Sequence, residues 1–111
     1  MRQRRLGRTG LKVSEVCLGT MTFAGQCDES TARAILDTAA DRGVTFIDTA
    51  DAYPIPPDPE TAGRSEEVVG RWLQGKRESF IVATKCGLNV GRGPNDRGLS
   101  RLHILKACEA S

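Results

Sequence analysis

Two kinds of hydrophobic pattern alternate along this chain. Short, nearly continuous apolar runs occur at Val16-Cys17-Leu18-Gly19-Thr20, Val44-Thr45-Phe46-Ile47-Asp48 and Phe80-Ile81-Val82-Ala83-Thr84. The first has the pattern of a buried strand, and the other two read as further strands. Between them the apolar residues recur at helical spacing. Ala32, Ile35, Leu36, Ala39 and Ala40 stand at i, i+3, i+4, i+7 and i+8, which predicts a helix over 30–42 with one apolar stripe. Asp28 or Ser30 can cap its start and Gly43 its end. Val68, Val69, Trp72 and Leu73 supply the apolar face of a second helix, capped by Ser65 and ended by Gly75. Glu66 and Glu67 lie in its first turn, where the helix dipole favours negative charge. Ser100 starts a third helix with Leu102, Leu105 and Cys108 on one side.

The remaining segments are turns and loops. Arg4-Arg5-Leu6-Gly7-Arg8-Thr9-Gly10-Leu11-Lys12-Val13 predicts two short strands around a Thr-Gly turn. Pro54, Pro56, Pro57 and Pro59 exclude a helix or an inner strand after the second apolar run. A glycine-rich loop runs from Gly87 to Gly98. The three apolar strands begin near 16, 44 and 80, with a helix after each. That βαβαβα order predicts an α/β domain over 1–111 built on a parallel sheet.

Composition narrows the class of partner more than the fold. Net charge is +2, from 16 basic and 14 acidic side chains, too balanced to argue for nucleic acid or a membrane surface. Arg2, Arg4, Arg5, Arg8 and Lys12 crowd the first dozen positions, but Gly7 and Thr9-Gly10 break the run, so it reads as a solvated hairpin. No apolar stretch approaches the roughly 18–20 residues that span a bilayer, and the N-terminus lacks the apolar segment of a signal peptide. Cys17, Cys27, Cys86 and Cys108 form no C-x-x-C pair, which predicts reduced thiols in a cytoplasmic protein. One histidine and no ligand-like spacing argue against a zinc site.

In a parallel α/β sheet, ligands bind at the carboxyl ends of the strands. Gly19-Thr20-Met21 follow the first strand. Asp48 ends the second, with Tyr53 five residues on, and Lys85 follows the third. An acid, a phenol and an amine therefore converge on one rim. A phenol is a weak acid at neutral pH, and a nearby ammonium stabilises its phenolate. A carboxylate can in turn hold the ammonium charged. Each residue also has a plainer role: a turn cap, a half-buried packing group, a solvated strand terminus. Gly91-Arg92-Gly93-Pro94 lacks the spacing of phosphate-binding loops and reads as a substrate-side loop. His103 reads as a surface or interhelix residue.

Phe46-Ile47-Asp48-Thr49-Ala50-Asp51-Ala52-Tyr53 resembles the aldo-keto reductase signature, with Asp and Tyr at the family spacing. Ser65-Glu66-Glu67-Val68-Val69-Gly70, Ala83-Thr84-Lys85 and Leu18-Gly19-Thr20-Met21-Thr22-Phe23 resemble other family segments, in the family's order. The resemblance implies a (β/α)8 TIM barrel, of which this chain would supply the first three βα units behind a short N-terminal β-hairpin. It implies hydride transfer between NADPH and a small-molecule carbonyl, an aldehyde or ketone. It makes Tyr53 the general acid, with Lys85 and Asp48 as its catalytic partners. Asp48 would also touch the nicotinamide ribose, Gly19, Thr20 and Met21 would lie beside the nicotinamide, and Gln26 would stand near the cofactor. NADPH over NADH follows from the family alone. The missing GxGxxG after the first strand argues against a generic dinucleotide-binding βαβ unit.

The same resemblance shapes expectations about completeness. A whole barrel needs about 250 residues, and the family's catalytic histidine follows the next strand. The third helix runs to Ala110-Ser111 with no closing cap, as a cut helix would. The chain is thus expected to be an incomplete barrel, inactive alone, with open strand edges that invite a complementary chain or self-association. Family relatives that serve as potassium-channel β-subunits imply an alternative, a non-catalytic fragment or binding module.

Overall fold

A computed structural model describes all residues, 1–111. The hairpin forms where its turn residues predict it. β1 (Gln3–Arg5) pairs antiparallel with β2 (Lys12–Ser14), Arg4 opposite Val13. Its arginines are solvated, and Arg2 and Arg4 reach Glu15 at 3.0 and 3.8 Å. The hairpin is tied to the main sheet by one buried hydroxyl. Ser14 Oγ accepts from the backbone amides of Thr45 and Phe46 at 3.0 and 3.1 Å, and donates to the Val16 carbonyl at 2.7 Å.

The three apolar runs become β3 (Cys17–Gly19), β4 (Phe46–Asp48) and β5 (Ile81–Ala83), all parallel in the order β3-β4-β5. Each is followed by its predicted helix: α1 (Glu29–Asp41), α2 (Arg64–Trp72) and α3 (Arg101–Ala110). The sheet is open, not a closed barrel. Its core joins Ile47 of the central strand to Ala32 and Leu36 of α1, Val68, Val69 and Trp72 of α2, and Phe23 and Phe80. The expectation that the first strand is buried fails. β3 is largely exposed and β5 half-buried, because each has a strand neighbour on one side only.

The helix boundaries show which local signals held. Asp28 caps α1 by accepting from the Thr31 amide at 2.8 Å. Gly43 follows it at φ +82°, a left-handed conformation that suits glycine. Ser65, expected to cap α2, lies inside it instead. The cap is Gly63, and Ser65 is fully buried with its hydroxyl donating to the Phe23 carbonyl at 2.7 Å. The helix starts early enough to turn Ser65 inward, toward the loop after β3. Ser65→Ala leaves that carbonyl unpaired and is expected to cost about 1–3 kcal/mol, read as a lower urea midpoint. An unchanged midpoint would refute the assignment.

Ser100 caps α3 as predicted, accepting from the His103 amide at 3.1 Å. The buried face of this helix is not the predicted one. Leu102, Leu105 and Cys108 are exposed, whereas His103 and Ala107, four residues apart, face inward. His103 is therefore no surface residue.

Helices α1 and α2 are joined by Glu29. Its carboxylate accepts from Arg71 at 3.0 and 2.8 Å and from Arg33 at 3.2 Å. The Arg71 hydrogen bond is the main reason its pKa is held down to about 2, with Arg33 adding to it. A folded value below the ordinary 4.5 means the ionised pair favours folding above pH 4.5, and that contribution is lost as pH falls toward 2. Arg71→Ala is expected to flatten the loss of Tm over that window. A variant that tracks the wild type throughout would show that Glu29 is not its source.

Candidate functional site

The site is built where the parallel ladder runs past the ends of its strands. Gly19 and Ala83 flank Asp48 in register. Backbone bonds then continue from Thr20 N to Asp48 O at 3.0 Å, from Thr49 N to Ala83 O at 2.8 Å and from Asp51 N to Lys85 O at 3.0 Å. The sheet thus delivers Asp48 and Lys85 to neighbouring positions on one rim, although 37 residues separate them in sequence.

Lys85 Nζ donates to Asp48 Oδ2 at 2.7 Å and to the Thr49 carbonyl at 2.6 Å. It lies 4.9 Å from the centroid of the Tyr53 ring. Burial works against the lysine charge, but the Asp48 carboxylate and the nearby Tyr53 phenol outweigh it and hold the pKa above the ordinary lysine value. The ammonium thus faces both the ring and the phenol of Tyr53. All three catalytic candidates are therefore brought together, as a phenol, an ammonium and a carboxylate in sequence.

Tyr53 is placed by two interlocked loops. Its amide donates to the Ala50 carbonyl at 3.2 Å, and the Ile55 amide donates to the Met21 carbonyl at 2.9 Å. A methyl group at Gly25 would stand 2.8 Å from Pro54 Cβ, too close for any side chain. Glycine at 25 is what lets the loop after β3 lie against the loop after β4. Arg92 reaches Glu60 at 2.7 Å and joins the Gly91–Pro94 loop to the proline-rich one.

The cofactor candidates fall in different places. Gly19 borders open space: a methyl group built there meets no heavy atom within 4 Å, so helix packing does not require this glycine. Met21 is exposed beside it. Thr20 is different. It is fully buried, and its hydroxyl donates to the Asp48 carbonyl at 3.0 Å. Its side chain braces the end of β4. Gln26 is exposed in the turn after Thr22.

The sequence pattern missed three residues here. Cys17 shares a sheet face with Asp48: burial pushes its thiol up, Asp48 adds to that, and Lys85 opposes it. The period of two along β3 contained this placement, since Cys17 and Gly19 alternate to the same side. Asp51 and His103 are both buried. Nothing local marks Asp51; the i,i+4 spacing of His103 and Ala107 is the only signal for His103.

Comparison with known proteins identifies relatives of the chain. The chain is 45% identical over 113 residues to an uncharacterized oxidoreductase, YrpG, of Bacillus subtilis, covering 96% of this chain and 34% of that protein. It is 44% identical over 104 residues to Protein tas of Escherichia coli, covering 89% and 29%. It is 40% identical over 115 residues to a probable voltage-gated potassium channel subunit beta of Arabidopsis thaliana, covering 100% and 33%. The chain thus spans about a third of the length of the curated relatives it matches. Residues 15–111, which carry the sheet, the three helices and the whole Asp48–Tyr53–Lys85 rim, match the aldo/keto reductase family, and the chain belongs to it.

Proposed function

We propose that this chain supplies the proton-transfer end of an NADP(H)-dependent reductase of aldehydes and ketones. The observation that carries this reading is the 2.7 Å Asp48–Lys85 pair set 4.9 Å from the Tyr53 ring. In this reading Tyr53 gives a proton to the substrate carbonyl oxygen. Lys85, kept charged by Asp48, stabilises the phenolate left behind. The rim also suits a nicotinamide ribose: Asp48 uses only Oδ2 toward Lys85, leaving Oδ1 as an acceptor, and open space borders Gly19 and Met21. When bound, NADPH supplies the hydride. Its phosphates and the remaining catalytic histidine of the family call for further βα units, so the working form would be a completed (β/α)8 barrel. A cytoplasmic setting suits four unpaired cysteines, and no helix here is long and apolar enough to cross a membrane.

One finding favours a second reading. The relative described as a channel subunit beta aligns with the whole of this chain, so a binding role without turnover is a real competitor. The two separate in one assay. The chain is mixed with NADPH and a small aldehyde, alone and with the rest of a family barrel supplied as a second chain. Nicotinamide absorbance is expected to fall only in the complemented mixture. Cofactor binding without turnover there would favour the binding role, and neither would overturn both.

A further inference from the structure

The proposed chemistry leaves two buried polar side chains unused. Asp51 is 9% exposed and His103 is 3% exposed, and both Asp51 Oδ2 and His103 Nε2 are enclosed without a hydrogen-bond partner. Buried polar atoms are nearly always paired. A carboxylate oxygen accepts only and an imidazole N–H donates, so these two orphans are complementary. They come from different elements: Asp51 from the turn between Asp48 and Tyr53, His103 from the first turn of α3.

The two groups also sense one another. Burial and the Glu66 carboxylate of α2 push the Asp51 carboxyl above its ordinary value, and the His103 imidazole draws it back. Glu66 itself accepts from the Thr84 hydroxyl. The turn that carries Asp51 is the one that sets the site. Its Asp51 amide holds the Lys85 carbonyl at 3.0 Å, and its Ala50 carbonyl receives the Tyr53 amide at 3.2 Å.

We propose that Asp51 and His103 form a positioning pair, in which His103 Nε2–H donates to Asp51 through one enclosed water and anchors the Ala50–Tyr53 turn to α3. The pair touches no reacting atom. It acts by fixing how far the Tyr53 ring stands from the Lys85 ammonium, and its catalytic meaning rests on the roles proposed for those two residues.

The test uses the whole chain, whose single tyrosine and single histidine give unambiguous NMR signals. In the wild type a slowly exchanging imidazole Nε2–H resonance is expected, and its absence overturns the pair without any variant. His103→Leu is expected to raise the Asp51 carboxyl titration further. It should also abolish the ring-current shift that Tyr53 imposes on the Lys85 side-chain methylenes. His103→Gln keeps an N–H at the same place and should restore both. Trp72 fluorescence reports whether each variant is folded. A folded His103→Leu protein with an unchanged Asp51 titration refutes the pair; one with an unchanged Lys85 shift refutes the positioning. None of these readouts involves cofactor or turnover, so an inactive chain would leave them intact.

Discussion

Tyr53→Phe is expected to lower kcat/KM for carbonyl reduction in the completed barrel by about 10²–10⁴-fold, the range that general acid catalysis contributes. The substitution removes one oxygen and keeps the ring, so the 4.9 Å Lys85 contact and the packing of the proline loop survive. The loss should fall on kcat, with cofactor affinity unchanged, because only the transferred proton is missing. Lys85→Met should act in the same direction, since it leaves the phenol without the neighbouring cation and Asp48 without its partner. Steady-state kinetics with a small aldehyde decide the matter. A Tyr53→Phe enzyme within about tenfold of wild type would remove the tyrosine from the chemistry. The raised Lys85 value means that its charge, and the pair with Asp48, persist through neutral pH and are lost only as pH rises through that folded value.

Trp72→Ala is the second large effect, and it is structural. Trp72 is almost fully buried in the core, edge-on to Phe80 with centroids 4.8 Å apart. Truncation to alanine leaves a cavity, at a cost of about 3–5 kcal/mol. A whole domain is stable by only about 5–15 kcal/mol, and this open three-strand unit has a small core, so the variant is expected to lose its cooperative melt by far-UV circular dichroism. The polar contacts contribute less. The indole N–H donates to Asp37 at 2.7 Å and Lys76 Nζ sits 3.5 Å above the ring, but Asp37 is largely solvated and Lys76 half-buried. Asp37→Ala leaves the indole N–H without this partner and should cost about 1–3 kcal/mol. If it cost as much as Trp72→Ala, the hydrogen bond would outweigh the cavity as the source of the loss.

Much of the site is legible in the sequence alone. The rim assignment needs only the order of strands and helices, because a parallel sheet places every strand's carboxyl end on one side. Asp48 and Lys85 then become neighbours by register. How deep each rim residue sits is not legible in the same way. Gly19, Thr20 and Met21 are consecutive, yet Gly19 borders open space, Met21 is exposed and Thr20 is sealed against the end of β4. That difference comes from which way each side chain leaves the last turn of the ladder, and three residues after a short strand carry no period from which to infer it.

The same division runs through the whole chain. The sequence by itself determined what is local or periodic: the hairpin, the alternation of strand and helix, the cap at Asp28, the stop at Gly43 and the cap at Ser100. Those features depend on φ preferences, nearby hydrogen bonds and side-chain spacing, which neighbouring residues alone supply. Tertiary structure decided which surfaces face another element. It turned Ser65 from a cap into an inward donor, left β3 exposed, buried His103 and Ala107 while Leu102 and Leu105 stayed out, and enclosed Asp51 within the turn that leads to Tyr53. Burial is a property of pairs of elements, so it is settled only when the chain has brought them together.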